Sequence, residues 1–496
     1  MRLKFTPWCR LIILLLVTGM SVSLAAQQPT ITVINIIPKA LGYENNQDSE
    51  PNLAVNPANV NQTAASAFTP GVGFCGPETA PIFVSTNGGN SWAANCIVPS
   101  DESGATEDIT LRFGETSNVL YAGILRRPHP WLTYRMNILR TRNFTGPDLM
   151  SVMVDRLKVD QPYIQTLSTP TGDRVYVGNN DFGAGKQTAT IDHSFDSGAT
   201  TPNFGFTRIE TRTTADQNGP ATRIAVHSDG TAYAIFYGWR SIVGSFWSSA
   251  LITTDVVVVR DDDLNTGSTR FASLKDVDGL SGMRVVRDRK LPWLNAAQPN
   301  FGNERFVGSN ISIAVDPRNG KSGTVYVAWA DRLGSDDYTL HLRRSTDRGQ
   351  TWSDDWKTIT NATNPSLAIN SDGVLAFLYQ QLTGPPDRPR WDTHLELTTI
   401  DSALTSGQNY VLASVRADKP DPRGVPYIGD YIHIMAVGKN FYGIFSANNT
   451  PDNANFPNKV IYQRNANFAT HQLFSPDNSV EVPASIDPFF VKVLMP

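Results

Sequence analysis

A single unit recurs along this chain, and that repetition constrains the fold more than any other feature. Each unit opens with an apolar-alternating run, turns, and continues into a second β-branched or aromatic run. The clearest copies are Thr222–Phe236, Ser312–Trp329 and Pro365–Tyr379, two of which turn on Ser-Asp-Gly at 228–230 and 371–373. Such a turn between alternating apolar runs is a hairpin signal. Weaker copies start near Pro51, Asp108, Pro162 and Asp430, which makes seven starts. Most starts lie about 55 to 65 residues apart, a spacing that marks a repeat architecture. The gap between the fourth and fifth starts is nearer to about 90 residues, so the sequence predicts an insertion over about 265–304. No long stretch carries the helical period. Four antiparallel strands repeated at this spacing predict an all-β fold, a single β-propeller over 26–496 with four antiparallel strands per blade. Seven blades are expected, or six if the Asp108 unit belongs to a neighbour. An open ring would expose sheet edges, so Ile31–Ile37 is expected to close it by joining the last blade.

Composition agrees with a turn-rich globular protein. Of the 496 residues, 40% are apolar and 18% charged, with 37 glycines and 32 prolines spread along the chain. The net charge is −4. No basic tract is present, which argues against a nucleic-acid partner. Arg2, Lys4 and Arg10 precede the apolar run Leu11–Val17, and Ser23 and Ala25 place small residues at a cleavage site. This pattern reads as a signal peptide over 1–25, cleaved near Ala25, and so as a secreted or periplasmic protein. No later segment is apolar enough to span a bilayer as a helix. Cys75 and Cys96 are then the cysteines of the mature chain, and an exported protein can join them in a disulfide.

A second signature lies between the third and fourth strands of a unit. Ser345-Thr-Asp347-Arg-Gly349-Gln-Thr351-Trp352 is its fullest form. Ser85-Thr-Asn87-Gly-Gly89-Asn-Ser91-Trp92 substitutes Asn for Asp and Ser for Thr, and Ser194-Phe-Asp196-Ser-Gly198-Ala-Thr200 lacks the Trp. Asp or Asn can hydrogen-bond nearby amides, Gly permits a positive φ, and Trp seals the turn. The motif Ser-x-Asp-x-Gly-x-Thr-Trp resembles the Asp-box, or BNR repeat, of the sialidase-like propellers. That resemblance covers about Glu50 to the C-terminus. It implies that the Asp-box residues are structural and lie on the face opposite the active site.

The functional face is therefore expected around the starts of the first strands. Glu50, Glu107, Asp108, Asp160, Gln161, Asn364, Tyr427, Asp430 and Tyr431 fall there, and the loops between second and third strands add His129, Trp239, Arg240, Asp331 and Arg332. This is a carboxylate-rich rim with aromatics, as sugar binding needs. The resemblance further implies three arginines that clamp a substrate carboxylate, a Tyr nucleophile assisted by Glu, and an Asp acid/base. Arg223-Ile-Ala is similar to the family's Arg-Ile-Pro, with Ala225 replacing Pro and the motif falling in the fourth unit rather than the first. Arg suits the clamp because its planar fork matches a carboxylate.

Tyr431 or Tyr427 is the candidate nucleophile, with Glu50 or Asp108 beside it. Arg223, Arg240, Arg332, Asp160, Asp430 and Trp239 are candidates for substrate binding. Asp261-Asp262-Asp263 offers carboxylates to calcium. No zinc pattern is present, and no cofactor is expected. Three readings follow: a glycoside hydrolase of the sialidase kind, a non-catalytic propeller that binds glycan or protein, and a polysaccharide lyase using His129, His227 or His433.

Overall fold

The structure, a computed structural model, describes residues 1, 28–69, 74–76, 79–99, 104–115, 118–128, 134–170, 172–197, 199, 202–215, 222–245, 249–262, 269–294, 311–332, 338–401, 407–420 and 428–496. The expected signal peptide lies outside the described residues. Among those described, no helix is long and apolar enough to cross a membrane.

The chain forms consecutive β-sheets, each an up-and-down meander of neighbouring strands. The first sheet runs from Ser49–Val55 to Ala93–Asn95, the second from Gly104–Phe113 to Ser151–Leu157, and the third from Val159–Thr169 to Gly205–Arg208. The fourth runs from Arg223–Val226 to Met283–Leu294, the fifth from Ile311–Val315 to Lys357–Thr360, and the sixth from Ala362–Ile369 to Gln408–Arg416. The seventh pairs His433–Val437, Asn440–Asn448 and Ile486–Leu494 with Thr30–Asn35 from the other end of the chain, and the short strand Ile461–Tyr462 adds parallel to its edge. An eighth, three-stranded sheet of Asn465–Asn467, Gln472–Phe474 and Glu481–Val482 sits between the second and third strands of the seventh. Where the sequence predicts an insertion, the structure places Met283–Leu294 as the fourth strand of an unusually long-stranded fourth sheet. Residues 263–268 and 295–310 there lie outside the described residues.

The first strands lie side by side in chain order, and that of the seventh sheet returns to that of the first. Residues from the first strands of the second to seventh sheets, with Pro57 just beyond that of the first, line one central cavity of about 220 Å³. This is a β-propeller arrangement, with apolar cores buried between adjacent sheets. A first strand has an edge turned to the channel with no strand to pair it. Small polar side chains meet part of that demand. Asn52 accepts from the Leu111 amide, Thr110 from the Ile164 amide, Ser312 from the Leu367 amide and Ser366 from the Ile434 amide, all at 2.9–3.1 Å.

The two tryptophan-bearing turns share one hydrogen-bond plan. Ser345 Oγ donates to Asp347 Oδ1 (2.8 Å) and accepts from the Gly349 amide (2.9 Å), and Asp347 Oδ1 accepts from the Thr351 amide (2.9 Å). Ser85, Asn87, Gly89 and Ser91 repeat these contacts at 3.0, 3.0 and 2.9 Å. In the third copy Ser194 Oγ donates to Asp196 Oδ1 (2.9 Å). Gly349 and Gly89 have φ of 82° and 80°. A Cβ at Gly89 would lie 2.2 Å from the Phe490 ring, so both conformation and space demand glycine there. The turns bond to the loop between first and second strands of their own sheets, Gly88 N to Asn61 O and Arg348 N to Gly323 O, which puts them opposite the starts of the first strands.

The two tryptophans are not equivalent. Trp92 is buried, donates to the Gly89 carbonyl at 2.9 Å and meets Phe490 edge-on at 5.3 Å. Trp352 is partly exposed, and its indole N–H has no hydrogen-bond partner. In urea unfolding, Trp92→Ala should cost about 3–5 kcal/mol. Trp352→Ala should cost roughly 1–3 kcal/mol, because part of that ring never leaves water. Equal losses would contradict this packing.

Cys75 and Cys96 form a disulfide, with Cα atoms 5.1 Å apart. The acidic run at 261–263 is engaged by arginines. Asp262 pairs with Arg260 at 2.8 Å and Arg348 at 2.6 Å, and Asp261 lies 3.8 Å from Arg270. The calcium expectation there is corrected for these two residues, since guanidinium groups already neutralise them. Asp263 lies outside the described residues.

Candidate functional site

Four first strands break their pairing register where they begin. The shifts fall between Ser49 and Asn52, Thr106 and Ile109, Asp160 and Tyr163, and Thr363 and Ser366. Glu50, Gln161 and Asn364 there carry positive φ of 53°, 56° and 54°. A bulge inserts an unpaired residue and re-aims its side chain. A non-glycine residue in this region stores roughly 1–3 kcal/mol of strain. These bulges hold Glu50, Glu107 and Asp108 and adjoin Asp160, so strained backbone borders the acidic residues.

The loop entering the seventh sheet completes the group. Gly429 has φ of 94°, and a Cβ there would lie 2.5 Å from the Glu50 amide nitrogen. Its carbonyl accepts from Asn364 Nδ2 at 3.1 Å. Only glycine lets this backbone lie against Glu50, and that approach positions Asp430 and Tyr431. Tyr431 is buried and its hydroxyl donates to Asp108 Oδ1 at 2.9 Å. Burial first, then the negative charges of Asp108 and Glu50, hold the Tyr431 phenol well above its ordinary range. The hydroxyl therefore rests protonated against a carboxylate.

Asp160 keeps part of its surface open to the channel but lies deep among its neighbours. Burial, followed by repulsion from Asp108, pushes its carboxyl up to about 8, with Glu107 and Asp430 adding to the repulsion. Asp160 thus holds a proton at neutral pH, and Asp108 beside it accepts from Tyr431.

Arg223 is 7% exposed. Its guanidinium lies 4.4 Å from the Tyr163 ring centre and 5.2 Å from that of Tyr431. It makes no hydrogen bond or ion pair of ordinary length with a described residue. Burial lowers its proton affinity, and Tyr163, Tyr431, Asp108 and Asp430 oppose that. Further down the channel, Arg112 lines the central cavity with Tyr163 and His433, and meets the Met435 sulfur at 3.4 Å. Burial and the charges of Arg112 and Arg223 hold His433 well below its usual range, so its imidazole is neutral.

The structure thus brings together Glu50, Asp108, Asp160, Arg223, Asp430 and Tyr431 from the expected rim. It places others elsewhere. Trp239 is buried in the apolar core between the fourth and fifth sheets, not in the channel. Arg240 pairs with Glu210 at 3.0 Å and Asp255 at 2.8 Å, so its charge is already met. Both expected binding roles are corrected on those grounds. Arg332 ends the second strand of the fifth sheet, and its side chain lies outside the described residues, as do Tyr427 and His129. The two described histidines suggested for lyase chemistry, His227 and His433, do not converge. His227 caps the far end of its strand, in contact with the Arg318 carbonyl, whereas His433 faces the channel. Arg112 and Tyr163 escaped the reading of the rim. The one signal for them is a large polar or aromatic residue inside the otherwise apolar runs Ile-Thr-Leu-Arg-Phe and Tyr-Ile-Gln-Thr-Leu.

No family model matches this chain, and no curated protein matches it. Solved structures do resemble it at low identity. The GH93 alpha-L-arabinofuranosidase of Fusarium graminearum is 12% identical, with a TM-score of 0.44, over 71% of this chain and 92% of that one. The phage phi92 endosialidase is 12% identical, with a TM-score of 0.44, over 94% of this chain and 70% of that one. A protein of unknown function from Dyadobacter fermentans is 10% identical, with a TM-score of 0.46, over 81% of this chain and 97% of that one. At these values the likeness is one of general architecture, and the chemistry of this chain has to be argued from its own residues.

Proposed function

We propose that this chain is an exported, seven-bladed Asp-box propeller of the sialidase-like kind, a single domain over 26–496, and that it hydrolyses glycosides in its central channel. The observation that carries the reading is the Tyr431 hydroxyl donating to Asp108 beside a second carboxyl, Asp160, that keeps its proton at neutral pH. A nucleophile paired with a base, and a separate acid, are what a two-step displacement at an anomeric carbon requires. A Tyr nucleophile is a known departure from the two-carboxylate scheme.

In the first step Tyr431 Oη bonds to the anomeric carbon and its proton passes to Asp108. The bond to the leaving oxygen breaks as Asp160 gives that oxygen its proton. In the second step the Asp160 carboxylate takes a proton from water, the hydroxide bonds to the anomeric carbon, and the tyrosyl oxygen leaves with the proton returned by Asp108. Arg223, buried and without a carboxylate partner of its own, binds an anionic group of the substrate. Glu50 and Asp430 complete the rim, and no cofactor takes part.

The test is a panel of 4-methylumbelliferyl glycosides of neutral sugars, uronic acids and N-acetylneuraminic acid. Wild type should cleave an anionic member. Arg223→Lys should raise its KM about tenfold or more, because Lys keeps the charge but loses the planar two-point contact. A non-catalytic glycan-binding propeller is the second reading, favoured by the depth at which Tyr431 is buried. No turnover of any member, with glycan binding unchanged in Tyr431→Phe, would decide for it.

A further inference from the structure

A second carboxylate cluster lies on the same end of the sheets as the channel rim but outside the site described above. Glu44 follows the turn Lys39–Leu41, Asp48 precedes the strand Ser49–Val55, and Asp487 begins the strand Ile486–Leu494. One carboxylate oxygen from each lies within 4.8 Å of the others, and all three side chains are buried.

Their surroundings differ in one respect. Asp487 is fully held: Oδ1 accepts from Asn449 (2.7 Å) and Ser485 (3.0 Å), and Oδ2 from Asn35 (2.7 Å) and Arg464 (3.2 Å). Glu44 accepts from the Asn46 amide at 2.9 Å and lies 3.5 Å from Arg464. Asp48 is fully buried, yet neither of its oxygens has a hydrogen-bond partner among the described residues. The hydroxyl of Thr69 lies beside it and donates to the Ala67 carbonyl at 3.2 Å.

A buried ionised carboxylate without a partner is strongly disfavoured. If all three carboxyls ionise, one guanidinium leaves two negative charges in this enclosure, which either protons on Glu44 and Asp48 or one divalent cation can offset. The donors are all hard oxygens. Calcium takes oxygens at about 2.3–2.6 Å, so two of its ligands lie at most ~5 Å apart, and it tolerates irregular protein cages that magnesium avoids. From the buried, unpartnered Asp48 and its convergence with Glu44 and Asp487, we propose that this cluster is a calcium site that staples the closing segment, the first sheet and the third strand of the seventh. The site stands independently of the glycosidase reading. Its consequence for the channel is that Glu50, two residues beyond Asp48, is held in place by the same staple.

The experiment uses the full mature chain, purified and dialysed against a chelator. Calcium and magnesium are then added at 1 mM, and metal content and thermal midpoint are measured. The chain should retain about one calcium, and calcium should raise its midpoint by roughly 5 °C or more, magnesium by less. Asp48→Asn should lose both the retained calcium and the shift. Its metal-free midpoint should equal or exceed that of metal-free wild type, because the amide removes a buried charge. Glu44→Gln provides the same readout if Asp48→Asn does not fold. Wild type that binds no calcium and shows no shift overturns the proposal, as does a folded Asp48→Asn that keeps both.

Discussion

Tyr431→Phe should lower kcat/KM for the best 4-methylumbelliferyl substrate at least about a thousandfold, while leaving the thermal midpoint within a few degrees. The substitution removes one hydroxyl. Among the described residues its hydrogen bond to Asp108 is the polar contact at stake, and the ring still packs under Arg223. Losing a buried hydrogen bond to a charged group costs roughly 1.5–3 kcal/mol, a small part of the stability of a chain this size. The chemical loss is of another order, since the displacement has no attacking atom. Asp108→Asn should give a smaller activity loss than Tyr431→Phe, of about 10² or more, because the phenol remains but has no base. A folded Tyr431→Phe variant with wild-type turnover would refute the nucleophile assignment outright.

Asp160→Asn separates acid catalysis from nucleophilic attack. Substrates with poorly acidic leaving alcohols should lose about 10²–10⁴ in rate, whereas aryl glycosides with good leaving groups should lose much less, because their oxygen departs without a proton. The pH dependence follows from the raised carboxyl. In wild type the acid form of Asp160 is present below about pH 8, so kcat/KM for poor leaving groups should fall as pH rises through that value. That alkaline limb should be missing from Asp160→Asn. Wild-type stability should also fall as pH rises. A carboxyl whose proton affinity is higher in the folded than in the unfolded chain disfavours folding increasingly as pH rises from about 4 to about 8. Asp160→Asn should therefore unfold at a higher temperature than wild type at pH 8, with the gap closing toward pH 4. Equal losses for good and poor leaving groups would show that Asp160 is not the acid.

The two kinds of residue that matter here were legible from the sequence to very different degrees. Asp108 and Tyr431 could be placed near a common rim, because each opens a repeat unit. That they touch could not, since 323 residues separate them and only closure of the ring brings their strands together. The aim of Asp160 was also hidden. Strand residues alternate between faces, and one extra residue in a bulge reverses that alternation. Arg240 was misplaced as well: it lies within the second strand of the fourth sheet rather than on the loop expected for it, and its partners Glu210 and Asp255 come from other segments and consume its charge.

What the sequence determined by itself is local. The Ser-x-Asp-x-Gly turns close their hydrogen bonds within four residues, so Ser345, Asp347 and Gly349 specify their geometry wherever the chain goes. The hairpins at Ser228–Gly230 and Ser371–Gly373 do likewise. The repeat spacing then predicted a series of similar sheets. Only the tertiary structure decided which side chains share the channel, which arginines have their charges met, and that Glu44, Asp48 and Asp487 meet at all. Those outcomes depend on bulges that cost backbone strain and on burial that shifts proton affinities. Both are properties of the packed ring, and no window of sequence contains them.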